Sequence, residues 1–419
     1  MQNKKITIII IIVVGIIIII GGYYYASKSN TGGTTGDTTS KNFLPLPFGG
    51  KSGGSTSGGN GDIANINNMS NLIASLTTGG SRFFKITNRA ISGATYLLDT
   101  RLIQKADNTN TTGNNQQSEA APAIRYIERA TGHVYESYLD TGVTSKISNT
   151  TILGPEEVLF GNNNSSLIYR YVNDKKDIES FVGSFGSDKG YFLPVNIKTL
   201  AISPDNKNFV TLEPYNDGVE VNTRSFDNTN NKQLFKSPLS EWILDWPTEN
   251  ILYFTTKASA TVNGFIFKYN VKNNSFTRVI GDIKGLTTLS NKGGNTILYN
   301  DSSSGQPKLY VYSTAKKESQ PLNLSGLPEK CVWAIDDINI YCAIPNNISG
   351  IWPDDWYKGT ISTDDHFVKI DTSSMSTRDF GSYEEERLDG SHLFLDTNES
   401  MLFFTNKTDN TFWMLNLKS

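Results

Sequence analysis

The chain has 419 residues, of which 37% are hydrophobic and 11% aromatic, enough for one large core or several repeated small ones and too many for a chain disordered throughout. Its 38 basic and 41 acidic residues give a net charge of −3, without the basic stripe that a phosphate backbone requires. We therefore expect no nucleic acid among its partners.

An apolar segment lies close to the N-terminus. Residues 6–26 follow Lys4 and Lys5 and have no charge, and a helix of this length spans the ~30 Å hydrocarbon layer of a bilayer. Tyrosines at 23–25 suit the membrane interface, and the lysines favour a cytoplasmic N-terminus. The pattern predicts that residues 1–26 form a cytoplasmic tip and a single-pass anchor in the cell membrane, with the C-terminal part outside the cytoplasm.

A cleaved signal peptide is the alternative interpretation of this segment. Cleavage needs small residues before the cut, and tyrosines occupy those positions before Ser27, which favours an uncleaved anchor. No cysteine follows the apolar run to accept a lipid. Gly, Ser and Thr then dominate, and residues 27–80 are predicted to be a flexible linker.

A four-strand unit recurs beyond the linker. In "TLAISPDNKNFVTL", residues 199–212, two apolar strands flank a polar turn, and "VEVNTRSF" and "KQLFKS" follow as a second pair. Six such units can be written down, with a period of 40 to 50 residues that is typical of repeat architectures.

The last unit, in contrast, has only three strands. "RFFKIT", residues 82–87, supplies the missing fourth, and a ring closed by both termini leaves no long exposed sheet edge. We therefore predict that residues 81–419 form an all-β, seven-bladed β-propeller, with six or eight blades as alternatives.

The turn "AISPDNKNFV" resembles the TolB-like and WD40-like propeller repeat, although Asn206 stands where glycine is usual. Strings such as "IRYIERATGHVYE", "DDWYKG" and "FTNKTDNTFWML" resemble membrane-anchored propeller proteins of small-genome candidate-phyla bacteria. These resemblances imply an anchor, a linker and a propeller. They imply no activity, since propellers host unrelated functions.

The two cysteines lie in "CVWAIDDINIYC". A two-residue turn at Asp336 and Asp337 places Cys331 directly opposite Cys342 on antiparallel strands, within bonding distance. We predict a Cys331–Cys342 disulfide in an oxidising compartment, and a pair of buried free thiols is the alternative.

The sequence has few signs of catalytic chemistry. His133, His366 and His392 stand far apart without metal-ligand spacing, so neither a metal nor a cofactor is predicted. Adjacent acids occur at 354–355, 364–365 and 384–386, and such groups in polar loops are usually solvated turns, although glycosidases do use paired carboxylates.

One loop is several times longer than its counterparts. It runs from Pro345 to Asp365 and connects the second and third strands of a blade, so it is expected on one face of the propeller. Aromatic residues are enriched at binding hot spots, and long loops often have functions. The alternative is that its tryptophans fold back to cover the blade. The candidate binding residues are Trp352, Asp354, Asp355, Trp356 and Tyr357.

Other tryptophans, at 242, 246, 333 and 413, lie in or beside strands and are expected in the core. A second, Asn-rich insertion, residues 101–122, is predicted to be disordered and to lie on the opposite face.

Three function classes follow from these features. The chain is most simply a membrane-tethered binding or scaffolding module of the cell envelope, with an envelope protein or a glycan as partner. The alternatives are an extracytoplasmic enzyme acting on polysaccharide at the central channel and a self-associating structural protein.

Overall fold

The computed structural model describes residues 81–104, 116–148, 150–185 and 190–418, and they form seven four-stranded antiparallel sheets. Blade 1 contains β2 (Ile91–Gln104), β3 (Gln116–Glu128), β4 (Val134–Tyr138) and β5 (Thr144–Lys146). Blade 2 contains β6 (Glu157–Gly161), β7 (Ser166–Val172), β8 (Ile178–Ser184) and β9 (Gly190–Phe192). Blade 3 contains β10 (Leu200–Ile202), β11 (Asn208–Tyr215), β12 (Gly218–Ser225) and β13 (Asn231–Ser237).

The next three blades repeat this order from inner to outer strand. Blade 4 contains β14 (Trp242–Thr248), β15 (Ile251–Thr256), β16 (Asn263–Asn270) and β17 (Ser275–Lys284). Blade 5 contains β18 (Thr288–Ser290), β19 (Thr296–Asp301), β20 (Lys308–Ser313) and β21 (Glu318–Ser325). Blade 6 contains β22 (Cys331–Trp333), β23 (Asn339–Pro345), β24 (Asp365–Asp371) and β25 (Ser376–Ser382).

Blade 7 closes the ring with strands from both ends of the described chain. Its inner strands are β26 (Gly390–Leu395), β27 (Met401–Asn406) and β28 (Thr411–Asn416), and its outermost strand is β1 (Phe83–Lys85). Phe83 pairs with Leu415 and Lys85 with Trp413. Strand β2 of blade 1 also touches β26 and β6, so the ring is continuous there. The predicted seven-bladed propeller and its closure are confirmed.

The recurring turn is held by one polar side chain at its start. In blade 3, Ser203 Oγ accepts the backbone N–H of Asn208 at 2.9 Å, and Asn206 takes the left-handed conformation, φ 59°. Asn291 and Asp396 accept the N–H five residues along in blades 5 and 7 in the same way. Asn tolerates positive φ better than most residues, which is why it can replace glycine here.

The turns between first and second strands link neighbouring blades on one side of the ring. Asp337 of blade 6 accepts the N–H groups of Lys292 and Gly293 of blade 5, at 2.9 and 2.8 Å, and Glu399 of blade 7 accepts the N–H of Ile335 at 2.6 Å. We call this side the opposite face. The connections from second to third strands and between blades emerge on the other side, which we call the insertion face because residues 346–364 lie there.

The core lies between the blades, where apolar faces of adjacent sheets pack together. One cluster joins blades 6 and 7 and includes Phe367, Phe404 and Trp413. Trp242, Trp333 and Trp413 are buried and Trp246 is half-buried against the cluster between blades 3 and 4, so the prediction that these four serve the core is confirmed.

A Cys331–Cys342 disulfide joins β22 and β23, as predicted, with the two Cα atoms 4.1 Å apart and directly opposite each other. The predicted two-residue turn is wrong, because residues 335–338 form a four-residue loop closed by the Ala334 N–H to Asn339 carbonyl bond at 2.8 Å. The loop adds Ile335 on one side of the predicted turn and Ile338 on the other, so Cys331 still pairs with Cys342.

The second insertion is more ordered than the sequence predicts. Residues 101–104 and 116–122 extend β2 and β3 into a long hairpin, which leads to the opposite face as expected, and residues 105–115 lie outside the described part. Arg101 bonds Glu119 at 2.6 Å across the hairpin and also Asp140. This charge pairing adds to a continuous ladder and explains why a polar sequence forms strands here.

Within residues 81–418 as described, no helix is long and apolar enough to cross a membrane. The predicted anchor at 6–26 and the linker at 27–80 lie outside the described residues.

Candidate functional site

The long loop on the insertion face is an ordered cap held by three blades. Its only regular element within the described residues is the one-turn helix α1 (Asp354–Tyr357). The Asp354 carboxylate accepts bonds from Ala260 N at 2.6 Å and Ser259 Oγ at 3.1 Å in blade 4. From blade 7, Lys407 Nζ donates to the Trp356 carbonyl at 2.7 Å. The loop starts and ends in blade 6 and therefore bridges blades 4, 6 and 7.

Both loop tryptophans point into the protein. Trp352 is 1% exposed and Trp356 4% exposed, and they pack with Leu327, Ile348 and Ile361. Trp352 Nε1 donates to the Ser349 carbonyl at 2.8 Å, so the indole is buried without an orphaned N–H. The expectation that these tryptophans lie open on the face is wrong, and the alternative, that they fold back on the blade, describes them.

The other three candidate binding residues have separate surroundings. Asp354 is used in the bridge to blade 4, and Asp355 accepts the Ile351 N–H at 2.8 Å within the loop. Tyr357 is 39% exposed, and its hydroxyl donates to Glu329, whose other oxygen accepts from Thr287 at 2.8 Å. Burial raises the pKa of Glu329. The ring of Tyr357 is partly exposed, but desolvation of its hydroxyl beside the Glu329 carboxyl group raises the pKa of Tyr357 well above its usual value. A binding role for these residues stays a prediction.

A buried charge cluster lies directly beneath the cap. Lys330 precedes β22 and its side chain is fully buried, with Nζ 2.5 Å from Asp389 Oδ1 and 2.8 Å from Asp365 Oδ2. Trp356 covers the cluster, because its Nε1 donates to Asp389 Oδ1 at 3.0 Å and its ring centre is 5.2 Å from Nζ. The expectation that the acids at 364–365 form a solvated turn is wrong for Asp365, which is completely buried.

The two carboxylates of this cluster differ in their electrostatics. Burial raises the pKa of Asp365, and this effect exceeds the opposing charge of Lys330. Burial also acts to raise the pKa of Asp389, but the charge of Lys330 and the bonds from Lys330, Trp356 and Thr363 outweigh it and lower that pKa. The surroundings therefore favour a neutral Asp365 and an ionised Asp389.

Large apolar side chains are exposed mainly on the insertion face. Among the described residues, nine of the fifteen that are exposed lie in or beside its loops. Ile351 is 57% exposed on the cap, and Val262 is 61% exposed on the blade 4 loop that Asp354 anchors. The nine residues are Leu153, Val172, Val195, Tyr215, Leu239, Ile243, Val262, Ile351 and Tyr357.

The innermost strands bring titratable groups towards the central channel. His392 lies on β26 at a break in the ladder, with φ 50°, a conformation that costs a non-glycine residue energy and is often found at functional sites. The side chain of His392 is exposed at this inner position, and desolvation by the surrounding strands lowers its pKa. The charge of Glu157 on β6 opposes this shift, and that of Lys407 adds to it. In blades 4 and 5, Asp245 accepts Ser290 Oγ at 2.5 Å, and burial raises the Asp245 pKa.

A cleft of about 520 Å³ opens on the opposite face, between the blade 1 hairpin and the first turns of blades 2 and 3. Its lining includes Asp99, Arg125, Asn164 and Phe185. Arg125 is held by Glu136 at 2.5 Å and donates to the Asn164 carbonyl at 2.8 Å, so its guanidinium is already used within the protein. Across the described parts of the chain, no group of three or more His, Cys, Asp or Glu side chains is arranged to hold a metal ion.

No protein-family model matches the sequence, and no curated protein is significantly similar to it. Among solved structures, the chain is similar to an oligogalacturonate lyase in complex with manganese, at 10% identity over 79% of this chain and 99% of the other, with a TM-score of 0.52. TolB from Acinetobacter baumannii matches at 11% identity over 77% and 80% of the two chains, with a TM-score of 0.42. At such identities the likeness shows the propeller fold alone.

Sequence reasoning missed Lys330 and Asp389, which no motif marks. A lysine beside a strand is ordinarily exposed, and Asp389 is 59 residues further along the chain. The one available signal was position, since both residues directly precede the innermost strand of a blade.

Proposed function

We propose that this protein is a membrane-tethered, extracytoplasmic β-propeller that binds a protein partner of the cell envelope with its insertion face. The observation that supports the proposal is the cap itself. Its tryptophans and acids fix it to the ring, and it nevertheless leaves Ile351 exposed, while Asp354 bonds the blade 4 loop on which Val262 is exposed. Contiguous apolar patches that remain exposed are typical of interaction sites.

The chemistry of these side chains favours a protein over a glycan. Seven of the nine exposed residues on this face are aliphatic, namely Leu153, Val172, Val195, Leu239, Ile243, Val262 and Ile351. Aliphatic groups offer a sugar neither a flat ring nor hydrogen bonds, whereas the buried centre of a protein interface is largely apolar. The anchor at 6–26 and the linker would let such a face reach a partner beyond the membrane surface.

The test uses the full-length chain as bait in a cross-linking capture from envelope extract. One variant carries Val262→Asp and Ile351→Asp, and a matched control carries Ile335→Asp and Ile338→Asp on the opposite face, where both residues are also exposed. We expect the control to capture the same protein as the wild type and the first variant to lose it. Equal capture by all three baits would refute the insertion face as the site.

The enzyme class remains a second candidate because of His392. His392 lies on an innermost strand with a positive φ, and its lowered pKa favours the neutral imidazole that a proton acceptor requires. The lyase among the similar structures makes oligogalacturonate a reasonable first probe. Shortening of that substrate by the full-length chain, abolished in His392→Gln, would support this function. No shortening of acidic or neutral glycans would argue against it.

A further inference from the structure

Lys330 is held in one position by oxygen atoms on several sides. Its Nζ lies 2.5 Å from Asp389 Oδ1, 2.8 Å from Asp365 Oδ2, 3.0 Å from the Gly390 carbonyl and 3.1 Å from Thr363 Oγ1. The side chain has no solvent exposure. An ammonium group has three protons and here meets four oxygen acceptors, so the amine cannot move away from the two carboxyl groups.

Asp365 has one oxygen that is bonded and one that is not. Its Oδ2 accepts the Gly390 N–H at 2.7 Å as well as the Lys330 ammonium. Its Oδ1 is buried and has no hydrogen-bond partner among the described residues. A buried carboxyl oxygen without a partner is costly, as is a lysine removed from water.

We infer that Lys330 Nζ and the Asp365 carboxyl group form an intramolecular amide bond, with Asp389 transferring the protons. The Nζ atom is 2.8 Å from Asp365 Oδ2 and is therefore adjacent to Cγ, the carbon that it attacks. The condensation removes both the buried ammonium group of Lys330 and the unpartnered Oδ1 of Asp365. It converts the buried ammonium into a neutral amide and expels the unpartnered Oδ1 as water.

The reaction balances without any further reactant. Lys330 loses a proton to the Asp389 carboxylate, and the resulting amine attacks Asp365 Cγ. The charge that develops on Oδ2 is stabilised by the Gly390 N–H, which already points at this atom. The Nζ–Cγ bond forms and the Cγ–Oδ1 bond breaks. The proton of the neutral Asp365 carboxyl group and one ammonium proton leave with Oδ1 as water, one ammonium proton stays on the amide nitrogen, and the third remains on Asp389.

The roles of the two aspartates follow from their partners. Asp389 has both oxygens bonded, by Lys330 and Trp356 Nε1 on one side and by Ser362 Oγ and Thr363 N at 3.2 Å on the other. These donors keep it anionic, which suits a proton acceptor, and burial raises the pKa of Asp365, which suits the neutral acid that is attacked. The bond would tie the residue before β22 to the first residue of β24, next to the disulfide between β22 and β23.

Peptide mapping of the full-length chain tests this inference. After denaturation, reduction and alkylation, trypsin cuts after a free Lys330 and releases the peptide 318–330. An amidated Lys330 is not cut, so we expect a branched product of 318–358 and 359–369, lighter than the sum of its two parts by one water, about 18 Da. Release of 318–330 in full yield would overturn the inference.

Two variants test the assigned roles. Lys330→Arg keeps the positive charge, cannot form this bond and should restore cleavage after residue 330. Asp389→Asn keeps the size of the side chain and should leave Lys330 free although Asp365 is present. A branched peptide in Asp389→Asn would refute the role of Asp389, and a wild-type branch to the peptide 388–407 would refute the choice of Asp365. The wild-type map stays decisive if either variant fails to fold.

Discussion

Replacing Trp356 tests whether the cap is part of the folded core. In Trp356→Ala the indole, 4% exposed, leaves a cavity beside Trp352 and Leu327, and such truncations cost about 3–5 kcal/mol. The change also removes the 3.0 Å bond from Nε1 to Asp389. Trp356→Phe keeps most of the ring and loses this bond, and a hydrogen bond to a charged group contributes about 1.5–3 kcal/mol.

We therefore expect the free energy of unfolding to fall by about 2 kcal/mol in Trp356→Phe and by about 5 kcal/mol in Trp356→Ala. Urea unfolding of the full-length chain, followed by circular dichroism, gives both values, with hydrogen exchange of residues 350–364 as a local readout. Ile351→Ala is the control and should stay within about 0.5 kcal/mol, because this side chain is exposed. A loss below about 1 kcal/mol for Trp356→Ala would refute a core role for the indole.

Three further changes probe other parts of the molecule. Replacing Cys331 and Cys342 by Ser should cost about 3 kcal/mol, since the bridge closes a loop with a sequence separation of 11, and dithiothreitol should then not lower the melting temperature further. Phe83→Ala in the closing strand should cost about 3–5 kcal/mol in urea unfolding, whereas Leu98→Ala, an exposed position, should change little. Because the pKa of His392 is lower in the folded chain, its protonation favours the unfolded chain. The contribution of the neutral imidazole to stability is therefore complete above a pH of about 6.5 and is lost as the pH falls. His392→Gln should therefore reduce the loss of melting temperature between pH 7 and pH 5, and an unchanged pH profile would contradict this.

The architecture was predictable because it depends on local patterns that repeat. The turn at residues 203–206 indicates a blade, the strand at 82–87 indicates how the ring closes, and the structure confirms both. The Cys331–Cys342 register was equally accessible, since adding one residue on each side of a turn leaves the pairing unchanged.

The cap was predictable in position but not in conformation. Exposed and buried tryptophans look the same in a sequence, and the burial of Trp352 and Trp356 depends on partners from other parts of the chain, such as Leu327 and Asp389. The Lys330 cluster likewise combines residues from two blades. No local pattern in a single sequence reports a contact of that kind.

Site-specific photo-cross-linking at residue 351 tests whether the insertion face binds a protein partner. A photoreactive residue replaces Ile351 in the full-length chain in its native membrane, and another replaces Ile335 on the opposite face in a parallel sample. We expect that light produces a discrete protein adduct at position 351 and none of the same mass at position 335. The same adducts at both positions, or none at 351, would contradict a protein-binding role for the insertion face.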